Sequence, residues 1–203
     1  MKPGTLDKIF SRLQEDATVN VLSRDPWIIT MDLLSIEDAD AVAQIAENNG
    51  WSRSEAGDGI QEARTSSTSW CHGKCMKNEI IQKIESNISD LIGIPIKNAE
   101  PMQMLRYEKG QFYTRHHDQN SPRSSVWGPR MITVFIYLKS DYTSGETRFP
   151  RLNITVSPQK GRVLIWPSVL DTDLYQRDDR TDHESLPVEE GVKLAVNYWV
   201  HMF

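Results

Sequence analysis

Three residues of this sequence have the types and the spacing of a metal site. His116 and Asp118 lie in the segment YTRHHD, and His183 lies far along the chain. Alternate side chains of an extended chain share one face, so His116 and Asp118 point the same way while His117 points away. Two imidazoles and one carboxylate make up the facial triad that holds Fe(II) and leaves positions open for a chelating co-substrate and O2. The pattern therefore predicts an iron site at His116, Asp118 and His183.

Lys193 extends this prediction, because it lies at the start of the last predicted strand. A lysine buried beside a metal can pair, as a point charge, with the distal carboxylate of a dicarboxylate co-substrate. Two other interpretations stay open at this level. Lys193 could instead be an ordinary surface lysine. His183, which is flanked by Asp182 and Glu184, could instead be a solvated loop histidine.

Helices are predicted in the first half of the chain and short strands in the second. Apolar residues recur at helical spacing from Thr5, the predicted cap, to about Asp16, then over 35–49 and over about 78–92. From about Ala99 onward, β-branched and aromatic runs alternate with turn residues, which predicts a sandwich or a closed barrel. The strand-like runs are WIITM near the start, followed by QMLRY, FYTRH, MITVFIYL, NITV, RVLIW and LAVNYWVHM.

A long polar stretch and a pair of cysteines are two further local features of the chain. The stretch Ser168–Gly191 is rich in Asp and Arg and is predicted to be irregular, and long loops of this kind are often functional. Cys71 and Cys75 lie four apart in WCHGKC, without the second ligand pair that a structural zinc site needs. They are either two separate thiols or a local disulfide, which requires an oxidising compartment.

Length and charge limit the classes of partner. The chain has 203 residues, which fits one domain, and a formal net charge of −5. We expect no nucleic acid partner, because this charge does not attract one, and no membrane segment, because no apolar stretch approaches about 20 residues. The first residues lack the apolar core of a signal peptide. The location stays open: it is the endoplasmic reticulum lumen if a signal segment was trimmed from a eukaryotic parent, and otherwise the cytoplasm.

Several blocks of the sequence resemble the collagen-type prolyl 4-hydroxylases in order and in spacing. They are spread over more than half of the chain, which makes an accidental similarity a poor explanation. The blocks are EARTSS at 62–67, LRYEKGQFYTRHHD at 105–118, RMITVFIYL at 130–138, SGETRFP at 144–150, PQKGRVLIW at 158–166 and HESLPVEEGVKLAVNYWVH at 183–201.

The resemblance implies roles for particular residues. It implies that His116, Asp118 and His183 bind the iron. The residues that it implies for 2-oxoglutarate are Lys193, Tyr107 and Thr147. The residues that it places on the substrate side of the metal are Arg64, Tyr113, Arg130, Trp199 and His201. These types suit a peptide, because aromatic faces pack against a proline ring and an arginine donates to a peptide carbonyl.

The activity that the resemblance implies is 4-hydroxylation of peptidyl proline. The enzyme would bind Fe(II), consume O2 and 2-oxoglutarate, and release succinate and CO2. Ascorbate would serve as a reductant. The implied fold is α+β, a double-stranded β-helix or jelly roll with helices packed on one sheet. Residues 1–98 are expected to form a helical support region with the first strands, and residues 99–203 the core of one catalytic domain.

The chain departs from the family's pattern at two places. The family often has a small residue or a cysteine shortly after the distal histidine, where this chain has Ser185-Leu186. The segment QNSPRSSVWGP, which follows Asp118, has its own length and composition. We predict that it forms part of a mobile lid and that it affects the choice of peptide.

Two alternatives belong to different functional classes. One is a 2-oxoglutarate dioxygenase with another substrate, such as a nucleic-acid demethylase, but those enzymes use arginine where Lys193 stands and need a basic groove. The other is a non-catalytic, cupin-like binding module that holds zinc or no metal. Turnover of 2-oxoglutarate with added iron distinguishes the module from an enzyme. The target peptide and the oligomeric state stay open.

Overall fold

Three α-helices form in the first half of the chain, as the spacing of its apolar residues predicts. The computed structural model describes residues 1–55, 59 and 62–203. Its helices are α1 (Thr5–Leu13), α2 (Ile36–Asn49) and α3 (Glu79–Ile92). Ser35 caps α2 by accepting from the N–H of Asp38 at 3.0 Å. The predicted ranges of α2 and α3 are therefore confirmed.

The ends of α1 differ from the prediction. Thr5 lies in the first turn, and the cap position is held by Gly4 in the left-handed conformation. The Thr5 hydroxyl donates to the Lys2 carbonyl instead of accepting from the helix. The helix also ends at Leu13, its last buried position, and not at Asp16.

Strands make up most of the second half. In chain order they are β1 (Asn20–Arg24), β2 (Trp27–Asp32), β3 (Ser52–Arg53), β4 (Ser67–Trp70), β5 (Gln103–Tyr107), β6 (Tyr113–His116), β7 (Arg130–Tyr137), β8 (Thr143–Ser144), β9 (Thr147–Phe149), β10 (Ile154–Val156), β11 (Arg162–Pro167), β12 (Val169–Leu170), β13 (Asp173–Arg177), β14 (His183–Ser185), β15 (Val188–Glu190) and β16 (Lys193–His201).

Two antiparallel sheets face each other in the arrangement of a jelly roll. The larger has the strand order β1-β2-β11-β7-β16-β5-β4-β3, and the smaller has the order β10-β9-β14-β6. This confirms the predicted fold. None of the described helices is long and apolar enough to cross a membrane.

Strand β7 shows how the large sheet serves two layers. Its residues Ile132, Val134 and Ile136 belong to the outer core, together with residues of all three helices. The alternating Phe135 and Tyr137 belong to an inner core between the sheets. Because side chains of a strand alternate between faces, one face supports the helices and the other lines the interior, where the polar site lies.

The stretch Ser168–Gly191 is not irregular, which corrects the prediction. It contains β12, β13, β14 and β15 and a short 3-10 helix at Asp179–Thr181. These elements have two to five residues each, too few for a visible apolar alternation. Buried Val169, Leu174 and Val188 anchor them to the interior.

Cys71 and Cys75 form a disulfide, which decides between the two open interpretations. The bond closes the loop that follows β4, and the two Cα atoms lie 5.1 Å apart. Both side chains are buried in the outer core. The disulfide therefore fixes the path of the chain as it leaves the large sheet.

Candidate active site

The three predicted ligands come together at the end of the small sheet. His183 on β14 is directly paired with His116 on β6, and Asp118 follows β6 by two residues. Their ligand atoms all lie within 4.8 Å of one another. The Nε2 atoms of His116 and His183 are 3.9 and 3.6 Å from the oxygens of Asp118.

Hydrogen bonds orient all three groups toward a common point. Nδ1 of His116 donates to the Thr114 carbonyl at 2.9 Å, and Nδ1 of His183 donates to the Thr181 carbonyl at 3.0 Å. In the neutral form of each ring, Nε2 is then the unprotonated nitrogen, as a metal-binding histidine requires. The donor set of two imidazoles and one carboxylate fits Fe(II) with open positions, whereas a closed structural zinc site needs a fourth ligand.

Thr133 is a residue of this site that the sequence did not single out. Its hydroxyl lies on the inner face of β7 and donates to Oδ2 of Asp118 at 2.7 Å. This bond fixes the carboxylate from the large sheet, while β6 positions it from the small one. A threonine within the apolar run MITVFIYL is also an ordinary strand residue, so its type alone carries no signal.

The charges of the site also suit a cation. Burial, reinforced by repulsion from His183, lowers the pKa of His116 to about 3. Burial raises the pKa of Asp118, but His183, His116 and the Thr133 hydroxyl together lower it to about 2. At neutral pH, His116 is neutral and Asp118 is ionised, which are their ligating forms.

Lys193 is fully buried at the first position of β16, opposite Tyr107 of β5. Its Nζ donates to the Gly145 carbonyl and to the Ser185 hydroxyl, both at 2.7 Å. An ammonium has three N–H donors, so one of them is left for a ligand. Burial lowers the pKa of Lys193 to about 7, although Glu146 opposes the shift. This group fits an anionic partner, which would compensate the buried charge.

A small cavity lies between the histidines and the region of Lys193. Its lining includes His116, His183, Tyr107, Thr147 and Ser185. Nζ of Lys193 is 5.0 Å from the Tyr107 ring, and burial raises the pKa of that phenol, so it stays neutral. The Thr147 hydroxyl accepts from the Tyr137 phenol at 2.8 Å. Of the three residues predicted to bind 2-oxoglutarate, Tyr107 and Thr147 therefore line this cavity, and Lys193 lies behind Ser185, which lines it and accepts a hydrogen bond from Nζ.

On the other side of the ligands the structure has an open cleft of about 520 Å³. Four of the residues predicted to face the substrate line it, namely Arg64, Tyr113, Arg130 and Trp199. His201 does not line this cleft but an adjoining pocket, where it is 4% exposed.

The aromatic wall of the cleft is held by Arg64. Its guanidinium lies 4.8 Å from the centre of the Tyr113 ring, which in turn stacks on His116 at 3.5 Å. Arg64 also donates to the side chains of Ser66 and Gln103. Because it is buried and multiply bonded, Arg64 orders the ring that covers a metal ligand.

Glu100 is the most important residue that sequence reasoning missed. Its carboxylate accepts from Arg130 at 2.6 and 3.0 Å and lies 2.7 Å from Nε2 of His201. Arg130 packs over the Trp199 ring, 3.8 Å from its centre, and donates to the Asp118 carbonyl. Glu100 precedes Pro101 in a connecting segment, where the sequence offers no pattern that would distinguish it from a surface residue.

Comparison with known proteins agrees with this geometry. A model of the 2OG-Fe(II) oxygenase superfamily matches residues 102–201, which include the three clustered ligands and Lys193. Prolyl 4-hydroxylase 1 of Arabidopsis thaliana is 33% identical over 202 residues, covering 89% of this chain and 70% of that protein. The chain belongs to the prolyl 4-hydroxylase family.

Other members of the family are also similar over large parts of the chain. A prolyl 4-hydroxylase of Acanthamoeba polyphaga mimivirus is 32% identical over 129 residues, and the match covers 60% of this chain and about half, 53%, of that protein. The 2OG complex of a viral collagen prolyl hydroxylase from Paramecium bursaria Chlorella virus-1 superposes with a TM-score of 0.71 at 25% identity. That match covers 87% of this chain and 96% of the viral one.

Proposed function

We propose that this protein hydroxylates peptidyl proline at C4 with Fe(II), O2 and 2-oxoglutarate. The observation that carries the proposal is the cluster of His116, Asp118 and His183 between a small cavity and an open cleft. The cavity is lined by Ser185, a hydrogen-bond partner of buried Lys193, and the cleft has aromatic side chains in its wall. Together they provide separate places for an anionic co-substrate and for a peptide.

Each side chain then has a definite task. His116, Asp118 and His183 would hold Fe(II), which, when bound, supplies oxidation of the substrate coupled to conversion of 2-oxoglutarate and O2 to succinate and CO2. Lys193 neutralises the distal carboxylate of 2-oxoglutarate, and Thr147 and Tyr107 provide hydroxyl groups beside it. Burial of Lys193 excludes water on the co-substrate side, which strengthens these polar contacts.

A peptide suits the cleft for two reasons. Tyr113 and Trp199 present aromatic faces, against which a proline ring packs well. The indole N–H of Trp199 is buried and has no acceptor among the described residues. A buried donor without a partner costs about 1–3 kcal/mol, and a peptide carbonyl would supply the acceptor once the Trp199 ring turns this N–H toward the cleft.

The test is to incubate the protein with Fe(II), 2-oxoglutarate, ascorbate and proline-containing peptides in air. Mass spectrometry should find a gain of one oxygen on proline, with one succinate formed for each hydroxylation. The His183→Ala variant and an added chelator are the controls. Succinate formation without any modified peptide from a broad proline-rich set would support a dioxygenase with a different substrate and contradict the proline assignment.

We also propose that the protein functions in an oxidising compartment such as the endoplasmic reticulum lumen, with ascorbate as the reductant of its iron. The Cys71–Cys75 disulfide supports the location, because such bonds persist where thiols are not kept reduced. Alkylation of the protein at its natural site should find both cysteines blocked. Labelling of both thiols there would contradict the proposal.

A further inference from the structure

The sequence contains two tripeptides of the pattern Asn-x-Ser/Thr, and neither takes part in the proposed reaction. They are Asn87-Ile-Ser and Asn153-Ile-Thr. This pattern is the acceptor for an N-linked oligosaccharide in chains that enter the secretory pathway. Because the pattern is short enough to arise by chance, the surroundings of each asparagine decide whether it is a modification site.

Asn153 closes the hairpin turn between β9 and β10. The turn consists of residues 150–153, and the Asn153 N–H donates to the Pro150 carbonyl at 3.4 Å. The φ of Asn153 is +53°, a left-handed conformation in which asparagine is several-fold enriched over most other residues. Its side chain is exposed. The carboxamide therefore lies at the surface of a hairpin turn, where a bulky hydrophilic group can be attached without displacing the core.

The hydroxyl that completes this pattern is also accessible. Thr155 lies in β10 and is exposed, whereas Ile154, the residue between the two polar ones, is half-buried. The apolar residue of the tripeptide thus packs against the protein while both polar residues face solvent. The two groups that an oligosaccharide-transferring enzyme must recognise are available without any change in the hairpin.

Asn87 is exposed too, but the rest of its pattern is not available. It lies within α3, where residues two apart do not face each other. The Ser89 hydroxyl donates to the Ile94 carbonyl at 2.8 Å, beyond the end of the helix. Ile88, between the two polar residues, is fully buried in the outer core. This pattern can be recognised only while the C-terminal half of α3 is unfolded.

An oligosaccharide on the hairpin turn would leave the proposed active site open. Among the described residues, none from the turn or from β10 lines the cleft or the small cavity. β10 is the last strand of the small sheet, next to β9. The free edge of such a strand presents unpaired backbone groups that can recruit another chain. A hydrophilic group at the start of β10 would hinder that pairing.

We propose that Asn153 is an acceptor for an N-linked oligosaccharide and that Asn87 is not. This inference rests on the proposed location in the endoplasmic reticulum lumen. The donor is an oligosaccharide carried on a lipid pyrophosphate, and a transferase of that compartment catalyses the reaction. Nδ2 of Asn153 forms a bond to the anomeric carbon of the sugar, and the bond from that carbon to the pyrophosphate oxygen breaks. The amide gives up one proton as the lipid pyrophosphate leaves.

The test is to direct the full chain into the endoplasmic reticulum of a eukaryotic cell with a cleavable signal and to measure the mass of the secreted protein. The wild type should carry one oligosaccharide, which an amidase removes while converting the acceptor asparagine to aspartate. Asn153→Gly should lose this mass, and glycine keeps the left-handed turn without strain. Thr155→Val should lose it as well, although it retains Asn153 and suits a strand. Asn87→Gln is the matched control and should keep the full mass.

The mass of the protein does not depend on its activity, which keeps this inference separate from the proposed hydroxylation. The Cys71–Cys75 disulfide, measured in the same sample, verifies that the chain has folded in an oxidising compartment. A chain with this disulfide and without an oligosaccharide on Asn153 would overturn the inference without contradicting the proposed location. An oligosaccharide on Asn87 in place of Asn153 would overturn it as well. A modified Asn153 in a protein that hydroxylates no peptide supports the inference and contradicts the proposed activity alone.

Discussion

His116 and His117 are neighbouring histidines with opposite surroundings. His116 keeps its Nε2 free toward Asp118 and His183. His117 uses both ring nitrogens, because Nδ1 accepts from the Gln119 N–H and Nε2 lies 3.0 Å from the Asp178 carbonyl. His116 is the last residue of β6 and His117 the first beyond it, and the two rings point to the metal position and to a structural hydrogen-bond network, respectively.

Replacing His183 with alanine should remove iron-dependent turnover and leave the protein folded. The reason is that two donors remain, fewer than the three protein ligands of such iron sites. Activity and bound iron should be measured together, with circular dichroism to verify the fold. His117→Ala is the matched control and should retain bound iron. If His183→Ala kept as much as about a tenth of the activity at saturating iron, roughly a 1.4 kcal/mol loss, His183 would not be a ligand.

Replacing Lys193 with alanine should raise the KM for 2-oxoglutarate by two orders of magnitude or more. Removing one partner of a buried charge pair costs about 3–5 kcal/mol, which leads to this expectation. Lys193→Arg should also bind poorly, because the planar guanidinium does not fit where a compact ammonium donates to Gly145 and Ser185. An unchanged KM in both variants, measured by succinate formation, contradicts the role of Lys193.

The affinity for 2-oxoglutarate should depend on pH through Lys193. Burial lowers the pKa of this group to about 7 in the free protein, and a bound carboxylate raises it. Only the ammonium form attracts the carboxylate, so affinity is greatest below pH 7. It should fall as pH rises above 7, by at most about tenfold per pH unit, up to the pKa in the complex. Calorimetry at several pH values measures this slope, and Lys193→Ala should lack it. A wild-type affinity that is constant between pH 6 and 9 contradicts the assignment.

Among the elements, the sequence predicts those with long patterns and fails for short ones. Helices α2 and α3 follow from fourteen-residue amphipathic stretches, and the jelly roll follows from many short apolar runs. His116 and Asp118 could be predicted from their spacing in an extended segment, although Asp118 lies two residues beyond the end of β6. Thr133 and Glu100 could not, because their roles depend on which strands pair and on which loop passes nearby. Such contacts join residues far apart in the chain and leave no local pattern.

The turn before β11 is an element whose conformation depends on glycine. Gly161 has a φ of +83°, and its carbonyl accepts the N–H groups of Leu33 and Leu34. A Cβ at this position would collide with the Leu34 carbonyl oxygen. This turn therefore ties the connection between β2 and α2 to the start of β11. The two backbone segments approach so closely that a side chain at position 161 would not fit between them.

Gly161→Ala should lower the free energy of unfolding by more than about 2 kcal/mol, because backbone strain of roughly 1–2 kcal/mol adds to the steric collision. Gly110→Ala is the matched control, because Gly110 has a φ of +80° but nothing within 4 Å of its Cβ position. It should show the backbone strain alone. Urea denaturation measures both variants. Equal losses in the two would show that the turn at Gly161 relaxes without cost.

At the scale of the whole molecule, the site joins the two sheets of the jelly roll. His116 and His183 belong to the small sheet, whereas Lys193 and Thr133 belong to strands of the large one. A metal ion and a diacid between them would add contacts that both sheets share. Because the unfolded chain has no such arrangement, ligands that bind there stabilise the folded state by mass action.

The unfolding temperature Tm, measured without O2, should therefore rise in two separable steps as the ligands are added. Fe(II) alone should raise the Tm, and 2-oxoglutarate at about a hundred times its Kd should add about 2.7 kcal/mol, or roughly 5–11 °C for a domain of this size. His183→Ala should lose both steps, because without iron the co-substrate lacks its chelating partner. Lys193→Ala should keep the increase with Fe(II), since its metal ligands are intact. It should lose most of the increase with 2-oxoglutarate, since the ammonium that pairs with the distal carboxylate is missing. Scanning calorimetry measures each increment, and a chelator should reverse the first. If Lys193→Ala showed the full increment at the same concentration of 2-oxoglutarate, the diacid would not bind Lys193, and it would not link this strand of the large sheet to the iron ligands of the small one.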